Sequence, residues 1–441
     1  MKKFFQTIKN IFSIEDLRIR ILNTLGFLII FRLGSFIVLP GVDPVILQQV
    51  AGQAQGIFGL LDTFLGGAFS RASIFALGIM PYISASIVIQ LLTVAVPYFQ
   101  KLQKEGESGR KRISQITRVL TIAITFAQSL AYINASVPPE AIILDPYWFQ
   151  ISSVVILISG TMFTMWLGER ITERGIGNGI SMLIMVGIIS RFPFEILAEM
   201  ASKQMSGALF FVLEIVALFF VVMAVVAFTQ AIRRIPVQYA KQVVGNKVYG
   251  GQRQYIPLKV NSAGVMPIIF AQSLMFLPPM IANLWANDSD IAAYVGTAFS
   301  DFTSWQYNLT FGLLILVFTF FYTAITVNPN QISEDLKRNG GFVPGIKPGK
   351  ATSEYIDNVL TRITLPGSLF LAIVAIMPAF ASLAGVSQGF SQFYGGTSLL
   401  IMVGVILDTL QQIESYLLMR HYEGLMKSGR VKGRSQNVAV A

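Results

Sequence analysis

Residues 363–407 read ITLPGSLFLAIVAIMPAFASLAGVSQGFSQFYGGTSLLIMVGVIL and hold no Lys, Arg, Asp, Glu or His. A helix rises ~1.5 Å per residue and the hydrocarbon core of a bilayer is ~30 Å thick, so this uncharged run is about twice what one crossing needs. Pro378, Gly385, Gly389, Gly395 and Gly396 divide it, which predicts two crossings around a short outer loop. The rest of the chain agrees with a lipid solvent: 54% of the residues are apolar, 13% are charged, and the mean hydropathy is +0.63.

Working outward, charge-poor runs bounded by ionised residues predict ten spans: 21–40, 73–96, 119–138, 147–168, 175–190, 208–232, 261–286, 307–328, 363–383 and 395–418. Orientation follows from Lys and Arg, because basic loops are retained in the cytoplasm. With these spans, 29 of the 33 basic residues fall on one side, placing both termini in the cytoplasm. Only the loops flanking the short fifth span tie. The apolar run begins well after the basic start MKKFF, with no small-x-small cleavage site, so the first span is expected to stay in the protein. A net charge of +10 gathered on one face suits anionic lipid and an acidic docking partner.

The cytoplasmic connections 97–118, 233–260 and 329–362 are too long for simple links. The second holds RRIPVQYAKQ and VYGGQRQYIPLKV, whose β-branched and aromatic residues around Gly250 and Gly251 predict a projecting hairpin. The third, with SEDLKRNGGFVPGIKPGKAT, is dense in Gly, Pro and base. Between the first two spans lies IFGLLDTFLGGAFSRAS, residues 57–73, too short and broken to cross. Two readings stand for it: an outer loop at the interface, or a re-entrant segment, which the membrane tolerates only where protein or water surrounds it.

Several chemistries are excluded. There is no Cys and one His, His421, beyond the last span, so no thiolate, His-based catalysis or Cys metal site can be built. GIKPGKAT at 345–352 is a decoy phosphate loop: Pro344 stands where the first Gly belongs and Ala351 where Ser or Thr would hold magnesium. Intramembrane charges are sparse, with Arg32 and Asp408 a candidate structural pair. No catalytic residue, metal or cofactor is expected. A passive channel and a secondary transporter for a small solute both remain open from these residues alone, and work would come from outside or from an ion gradient.

Longer runs narrow the choice. GGAFSRASIFALGIMPYISASIVIQLLTVAVP, KEGESGRKRISQ, GTMFTMWLGERITERGIGNGIS, PLKVNSAGVMP, GFVPGIKPGKATSEYIDNVLTRIT and YGGTSLLIMVGVILD closely resemble the SecY/Sec61-alpha family, the channel subunit of the bacterial Sec translocase. The resemblance implies an all-α membrane fold of ten helices in two pseudo-symmetric halves forming an hourglass pore. Residues 1–190 would be the N-terminal half, 191–208 an outer hinge loop, 209–425 the C-terminal half and 426–441 a cytoplasmic tail.

Matched motif by motif, the apolar pore ring would be Ile79, Ile83, Ile180, Ile184, Ile269 and Ile401. Spacing agrees, since Ile79 with Ile83 and Ile180 with Ile184 lie four apart on one helix face, and stiff β-branched side chains make a gasket. The segment 57–73 matches the family's plug, with Leu60, Leu61, Phe64, Gly66 and Gly67, the glycines supplying flexibility and close packing. Gln90 and Asn261 would line the lateral gate between the second and seventh spans. Arg233, Arg234, Lys241, Lys337, Arg338 and Lys347 would dock a ribosome or the SecA motor; Lys347 stands where the family usually has Arg, losing its planar fork. Further implied partners are small SecE and SecG subunits, signal sequences, nascent polypeptides and membrane lipids, with the bacterial inner membrane as the location.

Overall fold

Prolines and polar caps decide where most helices begin in the computed structural model, which describes residues 14–51, 62, 65–203, 207–239, 242–244, 247–249, 253–275, 278–279, 282 and 290–427. α1 (Glu15–Gly34) carries Glu15 and Asp16 in its first turn and Arg32 in its last, each opposite in sign to the helix-dipole end it occupies. α2 (Pro44–Ala51) is short. α3 (Met80–Ala95) and α4 (Pro97–Lys104) each place a proline in their first turn, and the missing N–H of Pro97 ends α3, so the two axes meet at 96°. α5 (Glu107–Ser136) follows, then α6 (Pro146–Arg174), capped by Asp145, and α7 (Gly179–Ser202), capped by Asn178.

The second half comprises α8 (Ala208–Thr229), α9 (Met266–Met275), α10 (Asp290–Ser300), α11 (Trp305–Thr326), α12 (Pro329–Arg338), α13 (Lys350–Leu383), α14 (Gln388–Ser391) and α15 (Gly396–Lys427). Seven described stretches are long and apolar enough to cross a membrane, eight if α3 and α4 form one bent span. α1 stands where the first crossing is expected but carries Glu15, Asp16, Arg18, Arg20 and Arg32; α9, where the seventh is expected, has 10 described residues.

Several helix boundaries differ from the sequence expectation. The second span begins at Met80 and not at 73, because residues 65–79 form turns; Gly78, at φ +51°, is one of the left-handed positions. α5 and α13 start far earlier than expected, taking in ESGRKRISQ and KATSEYIDNVLTR, which reach beyond the apolar window. The expected hinge loop 191–208 is largely helix: α7 runs through to Ser202. Its charges lie four apart, on one face, so they pair with each other and with neighbours and do not end the helix.

α6 is the centre of the first half, touching α1, α3, α5 and α7, while α13 packs on α11 and α15 in the second. The halves meet along two seams. On one, α3 packs against α9; on the other, α7 packs against α8, α14 and α15. One apolar cluster runs through both halves, from Leu28 and Phe31 to Val403 and Val405. α8 turns Leu209, Phe210, Leu213, Phe219 and Phe220 outward, as a lipid-facing helix does.

At the end expected to face the cytoplasm, the two long connections form one unit. β1 (Ile232–Tyr239) pairs antiparallel with β4 (Arg253–Lys259), register Ile235 to Ile256, and on its other edge with β5 (Gly341–Phe342). β2 (Gln242–Val244) and β3 (Lys247–Tyr249) make a small ladder between them. Ile235, Val237, Leu258, Leu336, Val343, Ile356 and Leu360 fill a separate core beneath. The predicted hairpin is therefore present, but the described ladder closes between 244 and 247; Gly250 and Gly251 lie outside the described residues. The multi-span bundle is all α, as expected, and carries this small sheet in its connections.

Candidate functional site: an apolar waist and the segment beside it

The six matched isoleucines come from four helices in both halves. Ile79 caps α3 and Ile83 sits one turn in; Ile180 and Ile184 lie in the first turns of α7, Ile269 on α9 and Ile401 on α15. Five are buried members of the shared cluster, and Ile180, half-buried, packs against it. Gly168 of α6 brings two of them together: a Cβ there would sit 3.2 Å from Cγ1 of Ile180 and 3.5 Å from Cδ1 of Ile79. Met182, Leu183, Ile188, Ile268 and Leu400 belong to the same cluster, which is apolar on both halves.

Of the segment 57–73, Asp62 and residues 65–73 are described; Leu60, Leu61 and Phe64 lie outside the described residues. Leu65, Ala68, Phe69 and Ala72 are buried. The backbone forms turns at 65–70. Gly66 (φ +61°) and Gly67 (φ +87°) occupy left-handed conformations, and a Cβ on Gly66 would fall 2.6 Å from Nη1 of Arg32, 2.8 Å from Oγ of Ser190 and 3.0 Å from Cα of Gly187. Close packing against α1 and α7 is thus what these glycines supply.

Polar contacts fix the same segment. Arg32 Nη1 donates to the Gly66 carbonyl at 2.7 Å, and buried Tyr132 donates to the Phe69 carbonyl at 2.7 Å. Asp62 accepts the Ser70 N–H at 2.8 Å and forms an ion pair with Arg191 of α7. Arg32 and Arg71 stand 4.9 Å and 4.4 Å from the ring of Phe36. Arg32 therefore does not pair with Asp408 as the sequence suggested. Arg32 lies in the last turn of α1, whereas Asp408 is ~18 Å along α15 from its first residue.

Gln90 lies on α3 and Asn261 just before α9, the two helices of the first seam. The side-chain oxygens of both are buried without a hydrogen-bond donor among the described residues, and no bond joins them there. Arg233, Arg234, Lys337, Arg338 and Lys347 are exposed on the sheet unit, whereas Lys241 lies outside the described residues. Two contacts escaped the sequence reading: the Asp62–Arg191 pair, and Gln412 of α15 accepting the Gly177 N–H at 2.8 Å across the second seam. The first had a signal in the spacing of charges after Arg191; the second, between a glycine and a glutamine 235 residues apart, had none.

The bundle is that of a multi-span helical membrane protein. The SecY family model matches residues 73–410, and the chain belongs to the SecY family. It is 45% identical to the protein translocase subunit SecY of Halalkalibacterium halodurans over 96% of this chain and all of that one, and 43% identical to that of Streptomyces galbus over 94% and 98%. Its fold is similar to a solved protein-conducting channel, at 16% identity, with a TM-score of 0.64 and coverage of 90% and 92% of the two chains. The family is one of channels and not of enzymes.

Proposed function

We propose that this chain is the central subunit of a bacterial inner-membrane translocase, crossing the membrane ten times with both termini cytoplasmic. Unfolded secretory chains pass through the waist, and membrane-protein helices leave sideways between α3 and α9. The carrying observation is that isoleucines from α3, α7, α9 and α15 share one buried apolar cluster at the meeting of the two halves. An apolar collar closes to ions yet widens around a chain that offers no fixed sequence to bind.

The segment 57–73 acts as the plug of this collar, and Gln90 and Asn261 weaken the lateral seam, because a buried oxygen without a donor makes the closed seam less favourable. Arg233, Arg234, Lys241, Lys337, Arg338 and Lys347 form the cationic surface that docks the SecA motor or the ribosome, which supplies the work. SecE and SecG subunits cover lipid-facing helices. The test is photocrosslinking from positions 83 and 269 to an arrested secretory chain in the reconstituted complex. Adducts from both are expected; failure from both, with translocation intact, overturns this path.

A further inference from the structure

A group of buried polar side chains lies inside the second half. Gln272 of α9 and Tyr307 in the first turn of α11 are each 3% exposed; Gln392, just after α14, is 4% exposed and Thr397, in the first turn of α15, 3%. With Asn308 they border a cavity of ≈ 20 Å³. Gly396 and Pro378 border it too, and a Cβ on Gly396 would stand 3.0 Å from Cγ of Pro378, so a side chain there would take up part of the space.

Burying an amide or a hydroxyl is costly unless it is hydrogen-bonded. The Gln272 amide and the Tyr307 hydroxyl face each other, yet Gln272 Nε2 and Tyr307 Oη close no hydrogen bond of normal geometry among the described residues. Asn308 spends its Nδ2 on the Phe302 and Ser304 carbonyls, both at 2.8 Å, which leaves its side-chain oxygen as an acceptor. Donors and acceptors from α9, α11 and α15 therefore converge on one small space. The buried oxygens of Gln90 and Asn261 differ, since neither residue borders this cavity.

The chemistry of the lining selects the occupant. A water molecule donates and accepts, needs two to four polar partners and fills ~10–15 Å³ of such a cavity. Gln272 offers N–H groups, Tyr307 and Thr397 offer hydroxyls, and Asn308 and Gln392 offer carbonyl oxygens. No Lys, Arg, Asp, Glu or His stands among the described residues that border it, so an ion would find no counter-charge there. The volume leaves no room for a larger molecule. Gln272 is three residues from Ile269 and Thr397 four from Ile401, so the site lies about one helical turn from both matched isoleucines of the second half.

We infer that this cavity binds one ordered water, which bridges Gln272 to Tyr307 and to Thr397 and so ties α9 to α11 and α15. The bridge keeps α9 within its own half and Ile269 in one cluster with Ile401. Its bearing on the ring rests on the proposed seal; the water itself does not.

The test is Tyr307→Phe, which removes one oxygen and leaves the ring in place. Hydrogen exchange of the α9 amides, read by mass spectrometry on the full complex, separates the two cases by sign. With a bridging water the variant strands part of the bridge, and these amides should exchange about tenfold faster. With nothing bridging, the variant deletes a buried hydroxyl that had no partner, and exchange should slow or stay unchanged, which overturns the proposal. Thr397→Val, close to isosteric, is expected to act in the same direction; no effect there overturns the link to α15. A direct bond between Tyr307 and Gln272 would also speed exchange, so a cryo-EM map at a resolution that shows ordered water is the second arm. Density within hydrogen-bond distance of Gln272 Nε2 and Tyr307 Oη, lost in Tyr307→Phe, is expected. A dry cavity in the parent, or a molecule other than water filling it, overturns the assignment. If the water is found while Ser at 269 and 401 leaves ion conductance at the parental level, the seal falls and the water site stands.

Discussion

Replacing Gly66 with alanine probes the seat of the proposed plug at a single atom. Gly66 sits at φ +61°, where an L-residue pays ~1–2 kcal/mol, and its new Cβ would meet Arg32 Nη1 at 2.6 Å, Ser190 Oγ at 2.8 Å and Gly187 Cα at 3.0 Å. The arginine tip can swing away, but it then loses its 2.7 Å bond to the Gly66 carbonyl; the Gly187 backbone cannot move without shifting α7. Strain and lost contact together amount to ~2–3 kcal/mol against the seated state, and a displaced segment is free of both. The closed-to-open ratio should therefore fall roughly 30- to 150-fold. The assay is ion conductance of the reconstituted complex. Gly26→Ala is the control, because a Cβ there meets nothing within 4 Å. A Gly66→Ala channel as tight as the parent, in protein that folds and assembles, would refute the reasoning; so would an equal leak from Gly26→Ala.

Two further outcomes follow from contacts at the seams. Replacing Gln90 and Asn261 by Leu removes two buried oxygens that lack donors, so the closed seam should gain ~1–3 kcal/mol per site and signal-sequence-triggered opening should slow, measured as translocation rate of a secretory precursor. Gln412→Leu leaves the Gly177 N–H without its acceptor at the second seam and should lower stability by ~1–3 kcal/mol, seen as a lower unfolding midpoint of the purified protein.

Hydropathy exposed the bundle because lipid imposes length and charge limits that a sequence must obey. The uncharged run 363–407 became the apolar part of α13 and the start of α15, and the β-branched and aromatic residues of 233–260 became β1 to β4. The same rule misread residues 191–202, since it counts charge without asking where charge points. Arg191 pairs with Glu195 and Asp62, and Glu199 with Lys203 and the Ser387 N–H, which a composition window cannot register. It also misread 73–79, where the apolar sequence SIFALGI folds as turns around the left-handed Gly78. The matched isoleucines were legible only through long motifs. Spacing places Ile79 near Ile83 and Ile180 near Ile184, but only the tertiary fold brings Ile269 and Ile401 into the same cluster.

The central claim is that these isoleucines are the ion seal. Ser in place of Ile83, Ile184, Ile269 and Ile401, introduced one at a time and then together, should give a leak that grows with each hydroxyl, because every substitution makes the waist easier to wet. The measurement is single-channel conductance of the assembled complex without a translocating chain. A graded rise supports the seal. Conductance at the parental level with all four replaced, in protein that still assembles, would contradict it.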